Sequence, residues 1–514
     1  MFIKIFLLVV FFGVMIGIGL WCRKHAVSVD GFLLGGRAVG PWLTAFAYGT
    51  SYFSAVIFVG YAGQFGWKFG IASTWIGIGN ALIGSLLAWV ILGRRTRIMT
   101  QHLGSATMPE FFEARYGSRA LKIASSLIIF VFLIPYTASL YNGLSRLFSM
   151  AFGIDYVVCI IVMAALTAVY VIAGGYMATA INDFLQGIIM LGGIIAVVAA
   201  VLNGQGGFTA ALASLARVED PAVSDVPGVF ASFFGPDPVG LLSVVILTSL
   251  GTWGLPQMVQ KFYAIKSEKA ISKGTVISTI FAVVVAGGCY FLGGFGRLFS
   301  DKVDIAADGF DSIIPSMLEG MPDVLIGVVV ILVLSASMST LSSLVMTSSS
   351  TLTLDFIDGI VVKKLGEKAK LLCIRIFIGI FIAISVLIAA LQYHSNVTFI
   401  AQLMGVSWGA LAGAFLAPFL YGLYMKKTNK VAVWFCFIFG AGIMTLNLFC
   451  KSIFPAFLRS PINCGAFAMV VGLVAVPLIS AFGKKKPETD SIFACYDEMV
   501  TVPVSRALED PEEK

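Results

Sequence analysis

Tyr48-Gly49-Thr50-Ser51-Tyr52-Phe53-Ser54 lies in the middle of an apolar run covering 40–66, and five of its seven residues carry a hydroxyl. A second such stretch, Thr248-Ser249-Leu250-Gly251-Thr252-Trp253-Gly254-Leu255-Pro256, interrupts the apolar run 239–260. Gly and Pro together weaken a helix, and Pro256 removes a backbone donor. In lipid, a broken helix is tolerated only where it is buried in protein or lines a cavity. A packed kink explains either stretch alone. The two, however, fall in the second and seventh apolar runs, five apart. Runs 2–6 and 7–11 then form two five-helix units, the second inverted because five is odd. Paired interruptions of this kind are the best sequence pointer to the binding site of a transporter.

The composition demands a membrane. Of 514 residues, 59% are hydrophobic and 12% charged, and the mean hydropathy is +0.96. A soluble domain has about 25% charged residues, so too few charges exist here to cover a water-facing surface. Apolar runs of spanning length fall at 3–22, 40–66, 70–93, 121–149, 156–173, 183–201, 239–260, 272–297, 323–352, 370–392, 396–424, 431–450 and 462–482. Thirteen spans of about 20 residues use about half the chain and leave no room for a large soluble catalytic domain. The expected fold is an all-α polytopic membrane protein with 13 transmembrane helices. Its divisions are 1–39 (first helix and cytoplasmic loop), 40–201 (first repeat), 202–238 (external loop), 239–424 (second repeat), 425–482 (spans 12 and 13) and 483–514 (cytoplasmic tail).

Charge assigns the sides. Arg23/Lys24/Arg37, Arg94/Arg95/Arg97, Lys261/Lys266/Lys269, Lys363/Lys364/Lys368, Lys426/Lys427/Lys430 and Lys484/Lys485/Lys486 all fall on one face of a thirteen-span protein. Asp220, Asp225, Asp237, Asp301, Asp304, Asp308, Asp311 and Glu319 fall on the other. The positive-inside rule places the N-terminus outside and the C-terminus in the cytoplasm of a multi-pass cell-membrane protein. The net charge of +7 is thereby explained by topology rather than by nucleic acid. The run from Ile5 to Trp21 lacks a small-residue cleavage site and reads as a first helix rather than a signal peptide. The eight cysteines and three histidines show no CxxC and no metal-ligand spacing. The polar tail from Lys484 to Lys514 is expected to be flexible.

The ninth run carries the densest polar signal, Ser335-Ala336-Ser337-Met338-Ser339-Thr340-Leu341-Ser342-Ser343. Ser339, Ser342 and Ser343 share a helical face. Hydroxyls on one face serve as helix–helix glue, but oxygen dipoles are also what an alkali cation needs when it sheds water. Asp183, after the Gly174-Gly175 pair, is read as the start of span 6, where it is either an ion ligand or a helix cap.

These residues resemble the sodium:solute symporter family over nearly the whole chain. The resemblance rests on the interrupted second span, on Gly-Gly-Tyr-Met-Ala-Thr-Ala-Ile-Asn-Asp at 174–183, on Gly-Leu-Pro-Gln-Met-Val-Gln-Lys-Phe at 254–262, and on Ala-Ser-Met-Ser-Thr-Leu-Ser-Ser at 336–343. It implies an inverted five-plus-five repeat of the leucine-transporter type. It also implies a main sodium site built from the backbone carbonyls of Thr50, Phe53 and Ala336 and the hydroxyls of Ser339 and Thr340. A second sodium site, found in some members, falls on Asp183, Ser342 and Ser343. The bacterial proline and pantothenate branches look most similar, and Tyr136 matches a cavity tyrosine of the proline transporter. That transporter's acidic residue falls on Tyr52 and its aromatic pair on Thr248 and Thr252, so the cavity departs from it.

The expected function is sodium-coupled import of a small organic solute, an amino acid or small carboxylate such as a proline-like or pantothenate-like compound. Candidate solute residues are Ser51, Tyr52, Ser54, Tyr136, Thr252, Trp253 and Gln402. Sodium is the coupling ion and no other cofactor is expected; the partners are the solute, sodium and the lipid bilayer, with no nucleic acid and no obligate protein partner. The alternative is a non-transporting membrane sensor built on a symporter domain, which needs an output module or a degraded sodium site. An enzyme needs a catalytic pair at one depth, and none clusters in the spans.

Overall fold

The computed structural model describes residues 2–305, 309–362, 364–395, 400–483 and 488–498. Among the described residues the regular elements are all helical, and the β features are three isolated bridges. Among the described residues ten helical runs are long and apolar enough to cross a bilayer, or eleven when the bent pair Pro238–Trp253 and Pro256–Ala264 counts as one. Large apolar side chains such as Phe6, Val9, Ile195, Leu387 and Ile438 are exposed on the outside. Water would penalise that surface and lipid would not. The molecule is a multi-pass membrane protein.

Both interruptions read from the sequence are present. The helix Pro41–Thr50 stops and residues 51–54 leave the helix before it resumes at Ala55. Gly49 O closes the first half by accepting from the amides of Tyr52 and Phe53, at 3.2 and 3.1 Å. Ser54 Oγ opens the second half by accepting from Val56 N at 3.2 Å. In the other broken helix, Gly251–Trp253 tightens into a 3-10 turn, Leu255 is extended (φ −81, ψ 122), and Pro256 starts the next helix. A residue before proline is pushed out of the helical region, so the break falls at Leu255. The ends of the two broken helices are tied together, with Val39 N donating to Ala264 O at 3.2 Å and Lys266 N to Val39 O at 3.0 Å.

Two helical runs far exceed one crossing. Val56–His102 has 47 residues and Tyr156–Gly204 has 49, against about 20 for a bilayer. Each turns at a glycine with positive φ, Gly70 (φ +63) and Gly175 (φ +59). A Cβ at Gly70 would meet Phe230 O at 2.0 Å, and one at Gly175 would meet Phe32 Cδ2 at 2.9 Å. Only glycine fits either turn. The helix after the second turn starts at Gly175, so Asp183 stands two turns inside it and not at its start as read from the sequence. Lys261, read as a loop cation, lies within the helix Pro256–Ala264 and is 3% exposed.

The serine-rich helix Asp323–Thr351 and the helix Ile400–Tyr424 form the centre, both largely buried, whereas most of the N-terminal helix is exposed. The segment 202–238, read as an external loop, carries the short helix Phe208–Leu215, and another short helix, Ile313–Leu318, precedes the serine-rich helix. The tail differs from the flexible expectation: Glu488–Glu498 is helical and buries Phe493 and Cys495 against the body. Residues 484–487 and 499–514 lie outside the described residues.

Candidate functional site

The first break frees the Thr50 carbonyl, and the serine-rich helix aims two hydroxyls at it. Ser339 Oγ donates to Thr50 O at 2.9 Å and Thr340 Oγ1 does so at 3.1 Å. Both hydroxyls also reach Ala336 O, at 3.1 and 3.0 Å. Phe53 and Ala336 line one small cavity beside this cluster. All five residues are buried. Thr50, Ala336, Ser339 and Thr340 are therefore one hydrogen-bonded oxygen cluster, with Phe53 at its edge. Neutral oxygens without carboxylate or nitrogen suit a monovalent alkali cation. Among the described residues no group of three His, Cys, Asp or Glu side chains could hold a metal.

A second polar group starts from the same break. Ser51 Oγ and Ser343 Oγ are 2.7 Å apart, and Lys261 Nζ donates to Ser343 Oγ at 3.0 Å. Lys261 also sits over the Tyr176 ring, 5.1 Å from its centroid. Both carboxylate oxygens of Asp183 are buried without a hydrogen-bond partner. A helix cap would bond a backbone N–H, so Asp183 does not cap. Ser342 Oγ turns back to Ser339 O at 2.8 Å. Of the three residues grouped by the resemblance, Ser343 faces the lysine, Ser342 faces its own helix, and Asp183 is unpaired.

The solute candidates separate in the same way. Tyr52 and Tyr136 come together around a residue that the sequence reading missed, Trp408. The Tyr52 ring stacks on it at 5.7 Å and the Tyr136 ring meets it edge-on at 5.8 Å. Tyr136 Oη lies near Ser54 and the Trp408 indole without a hydrogen bond of ordinary length, and Trp408 Nε1 has no acceptor. Two buried donors thus lie close together without acceptors. Gln257, also missed, has both ends of its amide buried without partners. Ser51 belongs instead to the lysine group. Gln402 is half-buried near the start of Ile400–Tyr424 and, among the described residues, shares no hydrogen bond with the others.

Thr252 and Trp253 are engaged elsewhere. The stretch Asn80–Leu87 is a π-helix, a wider turn that frees carbonyls. Gly84 O accepts from Tyr48 Oη at 2.8 Å and Thr252 Oγ1 at 3.1 Å, and Ile83 O accepts from Trp253 Nε1 at 3.0 Å. Tyr52 Oη donates to Thr248 O at 3.0 Å. These bonds brace the two breaks against the neighbouring helix. Nothing in the run Asn80–Leu87 announces a π-helix, whereas a tryptophan at mid-membrane, away from the interfaces where Trp concentrates, was a usable sign for Trp408.

Comparison with known proteins gives the family and the fold. The chain is 31% identical over 435 residues to a sodium/proline symporter of Staphylococcus aureus (strain JH9), covering 82% of this chain and 81% of that one. It is 28% identical over 441 residues to the osmoregulated proline transporter OpuE of Bacillus subtilis (strain 168), covering 85% and 87%. These relatives are transporters and not enzymes. Among solved structures, a substrate-bound, outward-open Na+-coupled sialic acid symporter superposes with a TM-score of 0.73 at 17% identity, over 95% of this chain and 99% of that one. That likeness speaks for the fold. The sequence profile of the sodium:solute symporter family matches residues 32–440, and the chain belongs to this family.

Proposed function

We propose that the protein is a secondary active symporter that uses the sodium gradient to import a small organic solute, an amino acid or small carboxylate, by alternating access. The observation that carries this reading is the convergence of Ser339 and Thr340 on Thr50 O, at 2.9 and 3.1 Å, in the gap of a broken helix. A sodium ion held by Thr50, Phe53, Ala336, Ser339 and Thr340 would take the hydroxyl lone pairs, the hydroxyl protons turning away from Thr50 O. The broken helix and the serine-rich helix would thereby be clamped through the ion. The solute is placed beside the break, against Tyr52, Tyr136 and Trp408, where the unpartnered Tyr136 and Trp408 donors suit a carboxylate. Clamping one helix pair while solute fills the adjacent space couples the two binding events.

The architecture under this reading is thirteen spans in an inverted five-plus-five repeat, the N-terminus outside and the C-terminus cytoplasmic. Splitting the two long runs at Gly70 and Gly175, and counting each broken helix as one span, supports the number. The relatives named as proline transporters make L-proline the first solute to test. Purified protein is melted with a panel of amino acids and small carboxylates, in sodium and in choline. Sodium is expected to raise the melting temperature, and the cognate solute to raise it further only in sodium, as mass action requires. Stabilisation equal in both salts, together with solute uptake indifferent to the sodium gradient, would overturn the proposal.

A further inference from the structure

Lys261 is, among the described residues, the only lysine buried in the protein. Its ammonium is where four elements meet. It donates to Ser343 of the serine-rich helix at 3.0 Å, and Ser343 is in turn 2.7 Å from Ser51 in the first break. It lies 5.1 Å from the centre of the Tyr176 ring, just beyond the turn at Gly175. Asp183, on the helix that follows that turn, is buried with neither carboxylate oxygen hydrogen-bonded; Lys261 is the cation that acts on it, through space and without a direct ion pair.

Each neighbour favours a positive charge at this point. A buried carboxylate with no hydrogen-bond donor needs a counter-charge nearby. A hydroxyl oxygen and an aromatic face are both good partners for an ammonium. The same surroundings would suit a sodium ion, and Asp183 and Ser343 are two of the three residues that the family resemblance assigns to a second one. The ammonium is already there. A further monovalent cation among these oxygens would face a like charge across a single hydroxyl, with little water to screen the repulsion.

We propose that Lys261 is a built-in cation standing where a second coupling ion would sit, so that this protein binds one sodium ion per chain and Asp183 serves as the counter-ion of the lysine. The inference rests on the sodium-coupled reading above. It makes the charge moved with each solute molecule that of a single sodium ion. It also ties the helix Pro256–Ala264, through a side chain rather than a solute ion, to the serine-rich helix and the first break.

The test needs only sodium as a probe. Isotopic sodium bound at saturation is counted per purified chain, and the steepness of sodium-dependent thermal stabilisation is measured alongside. The unmodified protein is expected to bind one ion with a Hill coefficient of about 1. Lys261→Met leaves Asp183 and Ser343 facing an empty place and is expected to raise the count to two, with a steeper titration. The double variant Lys261→Met/Asp183→Asn removes both charges, avoids an orphan carboxylate and is expected to return the count to one. Two ions in the unmodified protein overturn the inference, as does a folded Lys261→Met that still binds one. Should Lys261→Met not fold, two ions in the charge-neutral double variant overturn it equally. The coupling proposal fails separately, by an unmodified protein that binds no sodium at all, and takes this inference with it.

Discussion

Replacing Thr340 by valine removes one hydroxyl and little else. That hydroxyl bridges Thr50 O at 3.1 Å and Ala336 O at 3.0 Å. Each carbonyl keeps a donor: the single Ser339 proton can go to Thr50 O at 2.9 Å, and Ala336 O stays in the backbone ladder of the helix Asp323–Thr351. No buried acceptor is therefore left bare, and the fold should lose only about 1 kcal/mol, the net worth of an ordinary hydrogen bond. The ion loses more. One of five proposed oxygen ligands disappears from a dry site, and a polar contact to a charge is worth roughly 1.5–3 kcal/mol. At about 2 kcal/mol the sodium dissociation constant rises roughly 30-fold. Sodium at about 100 times the dissociation constant stabilises the unmodified protein by ~2.7 kcal/mol; the same concentration stabilises the variant by only ~0.9 kcal/mol. Melting curves across a sodium series, with choline holding ionic strength constant, read both effects separately. The zero-sodium melting point gives the fold term and the midpoint of the rise gives the ion term. A folded Thr340→Val whose sodium midpoint stays within about twofold of the unmodified protein would refute the assignment of this hydroxyl to the ion.

Tyr136→Phe should weaken the cognate solute by about tenfold while leaving the melting temperature of the solute-free protein unchanged or raised, since the lost hydroxyl had no ordinary partner; equal solute affinity removes Tyr136 from the cavity. Gly66→Ala should destabilise by about 1–3 kcal/mol or more through overpacking, because its Cβ would stand 1.9 Å from Gly293 O, whereas Gly287→Ala on the facing helix meets nothing within 4 Å and should be neutral. Matching melting points for the two variants would contradict that helix contact. Cys450 is the one exposed cysteine, the other seven being buried or partly so; under thirteen spans it lies outside, so an impermeant maleimide should label intact cells and Cys450→Ala should abolish the signal. Labelling that appears only after the membrane is opened would reverse the orientation.

What the sequence disclosed, and what it hid, follow from one physical distinction. The two breaks were legible because hydroxyls, glycines and a proline violate an apolar run, and the violation is visible without knowing where any helix ends. Ser339 and Thr340 were legible for the same reason. Asp183 and Lys261 were visible as residues but misplaced in depth, and depth depends on helix boundaries. Reading span 6 as starting at Asp183, when its helix turns at Gly175, is an error of eight residues, about 12 Å of helix rise. Ending span 7 at residue 260, when its second half runs from Pro256 to Ala264, is an error of only four, about 6 Å. Yet those 6 Å move a lysine from a solvated loop to the side of Ser343. The same charge then changes meaning: in the loop it counts toward the positive-inside rule, and beside Ser343 it would, under the inference above, compete for the place of an ion. All six basic clusters leave the inferred orientation standing without Lys261, since Lys266 and Lys269 remain in its own and topology sums over many loops. Ion stoichiometry has no such redundancy, since it turns on which single cation Asp183 faces. Topology is therefore robust to small boundary errors, while the chemistry of the site is sensitive to each of them.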